Sequence, residues 1–226
     1  MTCLTRAALA PLCAFAVLTA LPAAALTVAD CTTHQGCTCA ETPLSPEEAS
    51  LVMGIDTPAN AAAMILVVQD GTGIWSPLSA EDIDITAGGD GSCAGPLVPE
   101  DGVWTTQSTL NTLSCGPGTA MMRQMIEGNL NREKPVRVTW GGRFDGARWR
   151  DAWLAANPDP EATRPTWTRV SEVELTGADR LPGMTSSYRM VLLTPRSFRM
   201  DWDMQAVNDA GPCTWSVTNR VRKTAD

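Results

Sequence analysis

Ser197-Phe198-Arg199-Met200-Asp201-Trp202-Asp203-Met204-Gln205-Ala206 is the stretch that decides the fold class. Phe198, Met200, Trp202, Met204 and Ala206 alternate with Arg199, Asp201, Asp203 and Gln205. Successive strand side chains point to opposite faces, so one face is apolar and the other charged. A helix would scatter the same residues around its circumference. After the turn-forming run Asn208-Asp209-Ala210-Gly211-Pro212, Cys213, Trp215, Val217 and Val221 alternate with Thr214, Ser216, Thr218, Arg220 and Arg222. The pair reads as an antiparallel hairpin closing a β-domain.

Upstream of it, Val103 to Leu113, Pro135 to Trp140, Thr166 to Thr176 and Tyr188 to Thr194 read as further strands, and Asp145-Gly146 as a hairpin turn. Arg148 to Ala156 is the exception. Trp149 and Trp153 stand four apart, and Asn157-Pro158 ends a short helix. The expected fold is mainly β: an antiparallel barrel or strongly curved sheet, with one or two short helices and a disulfide-bearing N-terminal segment. Residues 102–226 form the β-domain, with Pro96 and Pro99 marking a boundary near residue 100.

Residues 26–101 form a Cys-rich segment with a short helix and a few strands. Ser45-Pro46-Glu47-Glu48 is a helix start with a capping box, and Gly54 is its stop. Met64 to Gln69 reads as a buried strand, and Ser79 to Thr86 as either a capped helical turn or a strand. Gly88-Gly89-Asp90-Gly91 lacks the Lys-Ser/Thr of a phosphate loop and the spacing of an EF-hand, and reads as a plain loop.

Residues 1–25 have the form of a secretory signal peptide. Arg6 precedes the apolar run Ala7 to Ala20, and Ala23-Ala24-Ala25 offers a small-x-small cleavage site. Its removal takes Cys3 and Cys13 from the eight cysteines and leaves Cys31, Cys37, Cys39, Cys93, Cys115 and Cys213. An even number in an exported chain points to disulfides, in a secreted or periplasmic setting. No later apolar run is long enough for a membrane helix. Subtracting Arg6 from the 17 basic residues leaves 16 against 25 acidic ones, a net charge of −9. That balance argues against nucleic acid and against anionic membranes as partners.

Chemistry-bearing motifs are few. His34, the single histidine, sits among Cys31, Cys37 and Cys39, which read as half-cystines and not as a metal cluster; no cofactor or metal is implied. No Ser-His-Asp, H-E-x-x-H or G-x-G-x-x-G arrangement occurs. Asp201 and Asp203 share a strand face with Arg199, as a carboxylate pair for catalysis would, but read as a solvated polar surface. No residue is assigned a catalytic role. Eight Trp and ten Met against three Phe and one Tyr give an unusual apolar supply. Met fills irregular gaps, so these residues can line a ligand cavity or simply form core. The candidate cavity residues are Trp104, Trp140, Met200, Trp202, Met204 and Trp215.

Gly102-Val103-Trp104, with Arg220 on the last strand, resembles the opening of lipocalin and calycin barrels, where the Trp closes the barrel floor near such an Arg. Gly73-Ile74-Trp75 repeats the tripeptide once. The resemblance covers that tripeptide and that Arg, and implies a cavity for a small apolar ligand. Three functions follow as expectations. The first is a non-enzymatic binding protein for a small apolar ligand. The second is an interaction module of the cell envelope with a filled core, whose partner is an envelope protein. The third is a carboxylate-based enzyme.

The boundary near residue 100 leaves four cysteines on one side and two on the other. Each set can close on itself: Cys115 with Cys213, and Cys37 and Cys39 divided between Cys31 and Cys93. A barrel brings its first and last strands together, so the two cysteines can approach the ~5.5 Å Cα separation a disulfide needs. Non-reducing peptide mapping checks this. The expected result is a Cys115–Cys213 linked peptide pair, and a Cys115 peptide joined to the Cys31–Cys39 cluster would contradict it.

Overall fold

A computed structural model describes residues 25–93, 95–159, 162–208 and 211–226. The signal-peptide reading, with Cys3 and Cys13, and Asp209 and Ala210 of the hairpin turn lie outside the described residues. The four-stranded sheet has the order β2-β1-β3-β4, from β1 (Leu26–Thr32), β2 (Gly36–Thr42), β3 (Ile65–Gln69) and β4 (Thr72–Ser76). The larger sheet is a curled half-barrel of seven antiparallel strands. They are β5 (Gly102–Ser114), β6 (Val136–Val138), β7 (Thr166–Arg169), β8 (Glu174–Leu181), β9 (Met184–Thr194), β10 (Ser197–Asn208) and β11 (Gly211–Ala225). Its order is β6-β5-β11-β10-β9-β8-β7, so the domain's first long strand lies beside its last. Register shifts interrupt β5 against β11 beside Ser216/Val217, and such bulges bend a strand.

The closing hairpin is as expected, with Phe198 opposite Val221, Trp202 opposite Val217 and Met204 opposite Trp215. Other boundaries differ. The stretch from Thr166 to Thr176 is two paired strands, β7 and the start of β8. Asp145-Gly146 is not a hairpin turn. The Asp145 carboxylate accepts from Ala147 N at 2.9 Å and Arg148 N at 3.2 Å, capping helix α4 (Gly146–Ala156) in the numbering of four helices. The others are α1 (Pro46–Met53), α2 (Ala80–Thr86) and α3 (Thr119–Asn129). The ambiguous Ser79 stretch is thus helical, with Ser79 Oγ capping Asp82 N at 3.1 Å. No sequence signal marked α3, because Gly118 offers no side-chain cap and no α3 residue is buried.

α1 carries the predicted capping box and a left-handed Gly54 stop at φ 69°. It also explains a correction. The charged face of the hairpin is not a solvated surface along its whole length. Arg199 and Asp201 keep 13% and 21% of their side-chain surface exposed. Arg199 bonds to Glu48 at the start of α1 at 3.1 Å and to Asp201 at 2.8 Å. Arg220 and Arg222 donate to the Leu51 and Val52 carbonyls at the other end of α1. The helix therefore lies on the convex side of the half-barrel, with cations on its unpaired C-terminal carbonyls and one on its N-terminal acid. Asp203, farther along, is exposed.

The Met190–Leu193 part of β9 is apolar on both faces. Met190 and Leu192 join the cluster on the concave side, with Trp104, Trp140, Phe144, Trp149 and Phe198. Val191 and Leu193 join a cluster with Leu26, Val28, Leu44, Val52, Leu66 and Val68. The second cluster is built from both sides of residue 101. The third face, under α2, gathers Ala29, Cys31, Ile83 and Cys93. Disulfides join Cys31 to Cys37, Cys39 to Cys93 and Cys115 to Cys213. None crosses residue 101, and three such bonds belong to an oxidising compartment. No helix among the described residues is long and apolar enough to cross a membrane.

The polar seam under α1 makes a stability prediction. Arg199→Ala removes the cation that Glu48 and Asp201 share and should cost ~1.5–3 kcal/mol. Asp203→Ala, at an exposed position, should cost under ~0.5 kcal/mol. Urea midpoints compare the two, and equal midpoints would show that the convex face is solvated throughout.

Candidate functional site

Across the concave face the register aligns Trp167, Gly177, Tyr188, Trp202 and Val217 in one row over five strands. Gly177 is the gap in that row. A Cβ there would stand 2.7 Å from Trp167 Cε3, so only glycine lets the Trp167 indole lean across β8. Trp167 thereby reaches Tyr188 at a ring separation of 5.8 Å, and Tyr188 stacks on Trp202 at 6.0 Å with planes 9° apart. The three rings make a continuous aromatic floor.

Towards one end of the face the space is filled. Trp104, Trp140 and Phe198 are fully buried and meet at 5.6 to 5.9 Å, and Trp149 from α4 packs on Phe198 at 5.0 Å. The Trp104 and Trp140 Nε1 atoms have no hydrogen-bond partner among the described residues. The two rings meet at 80°, a geometry that leaves a ring face as the contact open to an indole edge. Beyond Trp149 the filling stops, and a cavity of about 290 Å³ opens between the aromatic floor and α4.

Trp149, Trp153 and Arg150 of α4 form its roof, and Met184, Met200, Trp202, Met204 and Tyr188 its floor. Trp149 and Trp153 share one helix face four residues apart, which is why both can look down on the sheet. The rim is tied in place by asparagines. Asn131 accepts from Ser108 N at 2.6 Å and donates to Ser108 O at 3.1 Å, covering the edge of β5 that the short β6 leaves unpaired. Asn157 accepts from Lys134 N at 2.9 Å, joining that rim to the end of α4. Asn219, a polar residue at an apolar position of the hairpin, is satisfied by Ser108 Oγ and the Met200 carbonyl.

The polar groups of the wall are arranged in pairs. Tyr188 donates to Asp179 at 3.1 Å, and Thr163 donates to the same carboxylate. Burial, and then the Asp179 charge, push the Tyr188 phenol up to about 12, so it remains a neutral donor. Glu133 accepts from Trp153 Nε1 at 3.1 Å. Arg150 lies 4.9 Å over the Trp153 ring and donates from Nε to the Thr163 carbonyl at 2.9 Å.

Of the six residues proposed from sequence, Met200, Trp202 and Met204 line this cavity. Trp104 and Trp140 do not, because the closed aromatic cluster takes them up completely. Trp215 does not either; it pairs with Met204 and Leu113 towards the Cys115–Cys213 end of the hairpin. Sequence reasoning missed Trp149, Trp153, Trp167 and Tyr188 as lining residues. The spacing of Trp149 and Trp153 was the available signal. The Trp104 ring neighbours are Trp140 and Phe198, while Arg220 bonds to Leu51 and Gln107 on the convex side.

A wider cleft of about 420 Å³ lies at the other sheet, between the disulfide hairpin and the glycine-rich loop. It is polar, and its buried Asp84 is used structurally, accepting from Cys37 N at 2.5 Å and Gly91 N at 2.8 Å. Burial pushes the nearby Asp30 carboxyl up to about 6. His34 sits exposed in the β1–β2 turn with φ 64°. Asp201 and Asp203 line neither space. Among the described residues no group of three or more His, Cys, Asp or Glu is placed to hold a metal. No protein-family model, curated protein or solved structure matches the chain.

The glycine gap can be tested. Gly177→Ala should push Trp167 off Tyr188 at a cost of about 1–3 kcal/mol, with a changed near-ultraviolet circular dichroism spectrum. Gly128→Ala in α3, where nothing lies within 4 Å of the added methyl, should be neutral or slightly stabilising. An unchanged spectrum for Gly177→Ala would mean that Trp167 does not cross β8.

Proposed function

We propose that this chain is an exported, non-enzymatic binding protein whose ligand is a small and largely apolar molecule held on the concave face of the half-barrel. The observation that carries the reading is the unfilled space beside a filled core. Packing is complete from Trp104 to Trp149 and then gives way to a cavity walled by Trp149, Trp153, Trp167, Trp202 and Tyr188. Apolar walls with a few placed polar groups are the ordinary make-up of a small-molecule site. At the ~30 Å³ that one water occupies in the liquid, the volume suits a ligand of about ten non-hydrogen atoms. Three disulfides support the export reading, with the periplasm or the cell exterior as the setting.

One observation favours an envelope interaction module instead. Met121 and Met125 of α3 are 72% and 53% exposed on a helix that buries none of its residues. Exposed Met on a helix face is a common contact surface for other proteins.

A neutral fluorescent probe close to the cavity's capacity, 1-naphthylamine, separates the readings. In native protein it should bind saturably at one site with energy transfer from tryptophan. Met200→Asp should abolish that binding while the far-ultraviolet spectrum stays that of the folded sheet. Uptake confined to acid or partly denatured samples would mean loose apolar surface and not a site.

A further inference from the structure

Building on the reading of the concave cavity as a ligand site, we infer that its ligand carries a carboxylate, held by Arg150, on a short apolar body. Among the described residues, Arg150 is the one cation that lines the cavity. Its guanidinium is positioned before any ligand arrives. The plane lies over Trp153 at 4.9 Å, and Nε is fixed by the Thr163 carbonyl at 2.9 Å. Those two contacts leave the terminal nitrogens, whose parallel N–H groups match the two oxygens of a carboxylate. Arg150 forms no ion pair among the described residues.

Among the described residues, Glu133 and Asp179 carry neutral donors, and Asp179 keeps one buried oxygen, Oδ1, without a partner. Glu133 accepts from Trp153 Nε1, and Asp179 accepts from Tyr188 and Thr163. Asp159, the remaining acid at the cavity, is engaged as well. An anionic head therefore finds a guanidinium that is oriented and forms no ion pair among the described residues. On the other side, the indole N–H groups of Trp167 and Trp202 are buried without an acceptor among the described residues. An apolar body meets Met184, Met200, Met204 and the aromatic floor. A chain of six to eight carbons with one carboxylate comes to about ten non-hydrogen atoms, the capacity the volume sets.

Octanoate and octanamide are the matched probes, since they have the same length and shape and differ in charge. Calorimetric titration of the unmodified protein should show octanoate binding about ten- to a hundredfold more tightly. Arg150→Gln should erase that preference, while Arg150→Lys should restore part of it. Equal affinities in the unmodified protein would overturn the carboxylate assignment, with no need of a variant. So would an octanoate preference that survives Arg150→Gln. Binding of octanamide and the neutral naphthylamine in those cases leaves the ligand site itself standing. Failure of every probe, neutral and charged, would overturn the site and the assignment together.

Discussion

Met190-Val191-Leu192-Leu193 is the segment on which the two sheets depend. In a strand, neighbouring side chains leave from opposite faces, so four consecutive buried apolar residues require cover on both sides. The concave side receives Met190 and Leu192, and the aromatic cluster closes over them. The convex side receives Val191 and Leu193, and the smaller sheet with α1 closes over those. At ~1.5–3 kcal/mol for each fully buried side chain, the run contributes a stabilisation comparable to the net stability of a small domain. The half-barrel cannot release the N-terminal sheet without exposing half of it.

The same strand also marks where the filling ends. Past Met190, β9 continues as Tyr188, Ser186 and Met184, residues with polar tips or flexible stems in place of branched apolar ones. Across the face the register gives β8 a glycine opposite Tyr188. Side chains of that kind make a floor and do not interlock with a roof. α4 supplies the roof from large residues at the spacing of a single helix face, and the separation between roof and floor is the cavity. The charged hairpin face has a matching division of labour. Its Arg199 end holds α1, and its Asp203 end meets solvent.

Most of the half-barrel was legible in the sequence because its strands are amphipathic and a period of two is hard to mistake. The helix α1 was legible because its cap, its first-turn acids and its terminal glycine all agree. What escaped had a physical reason in each case. Asp145-Gly146 carries the residues of a hairpin turn, and only the capping bonds of the Asp145 carboxylate reveal a helix start. α3 buries none of its residues, and Gly118 gives its start no capping side chain. The cavity was half legible. Strand parity places Trp104, Trp202 and Trp215 on one side of their strands, but parity does not say which of them a neighbouring helix will bury. That depends on how far α4 reaches along the face, which is a property of the packed chain. Trp167 depended on a glycine in another strand, ten residues away, and no local pattern encodes such a contact.

The most direct test of the account is native mass spectrometry of the protein purified from its own host, beside a Trp202→Glu variant prepared in the same way. The account predicts one small molecule bound per chain in the unmodified protein, of roughly ten non-hydrogen atoms by the volume argument, and none in the variant. The same adduct on both proteins would contradict it, because the charge introduced at Trp202 lies in the floor of the proposed site.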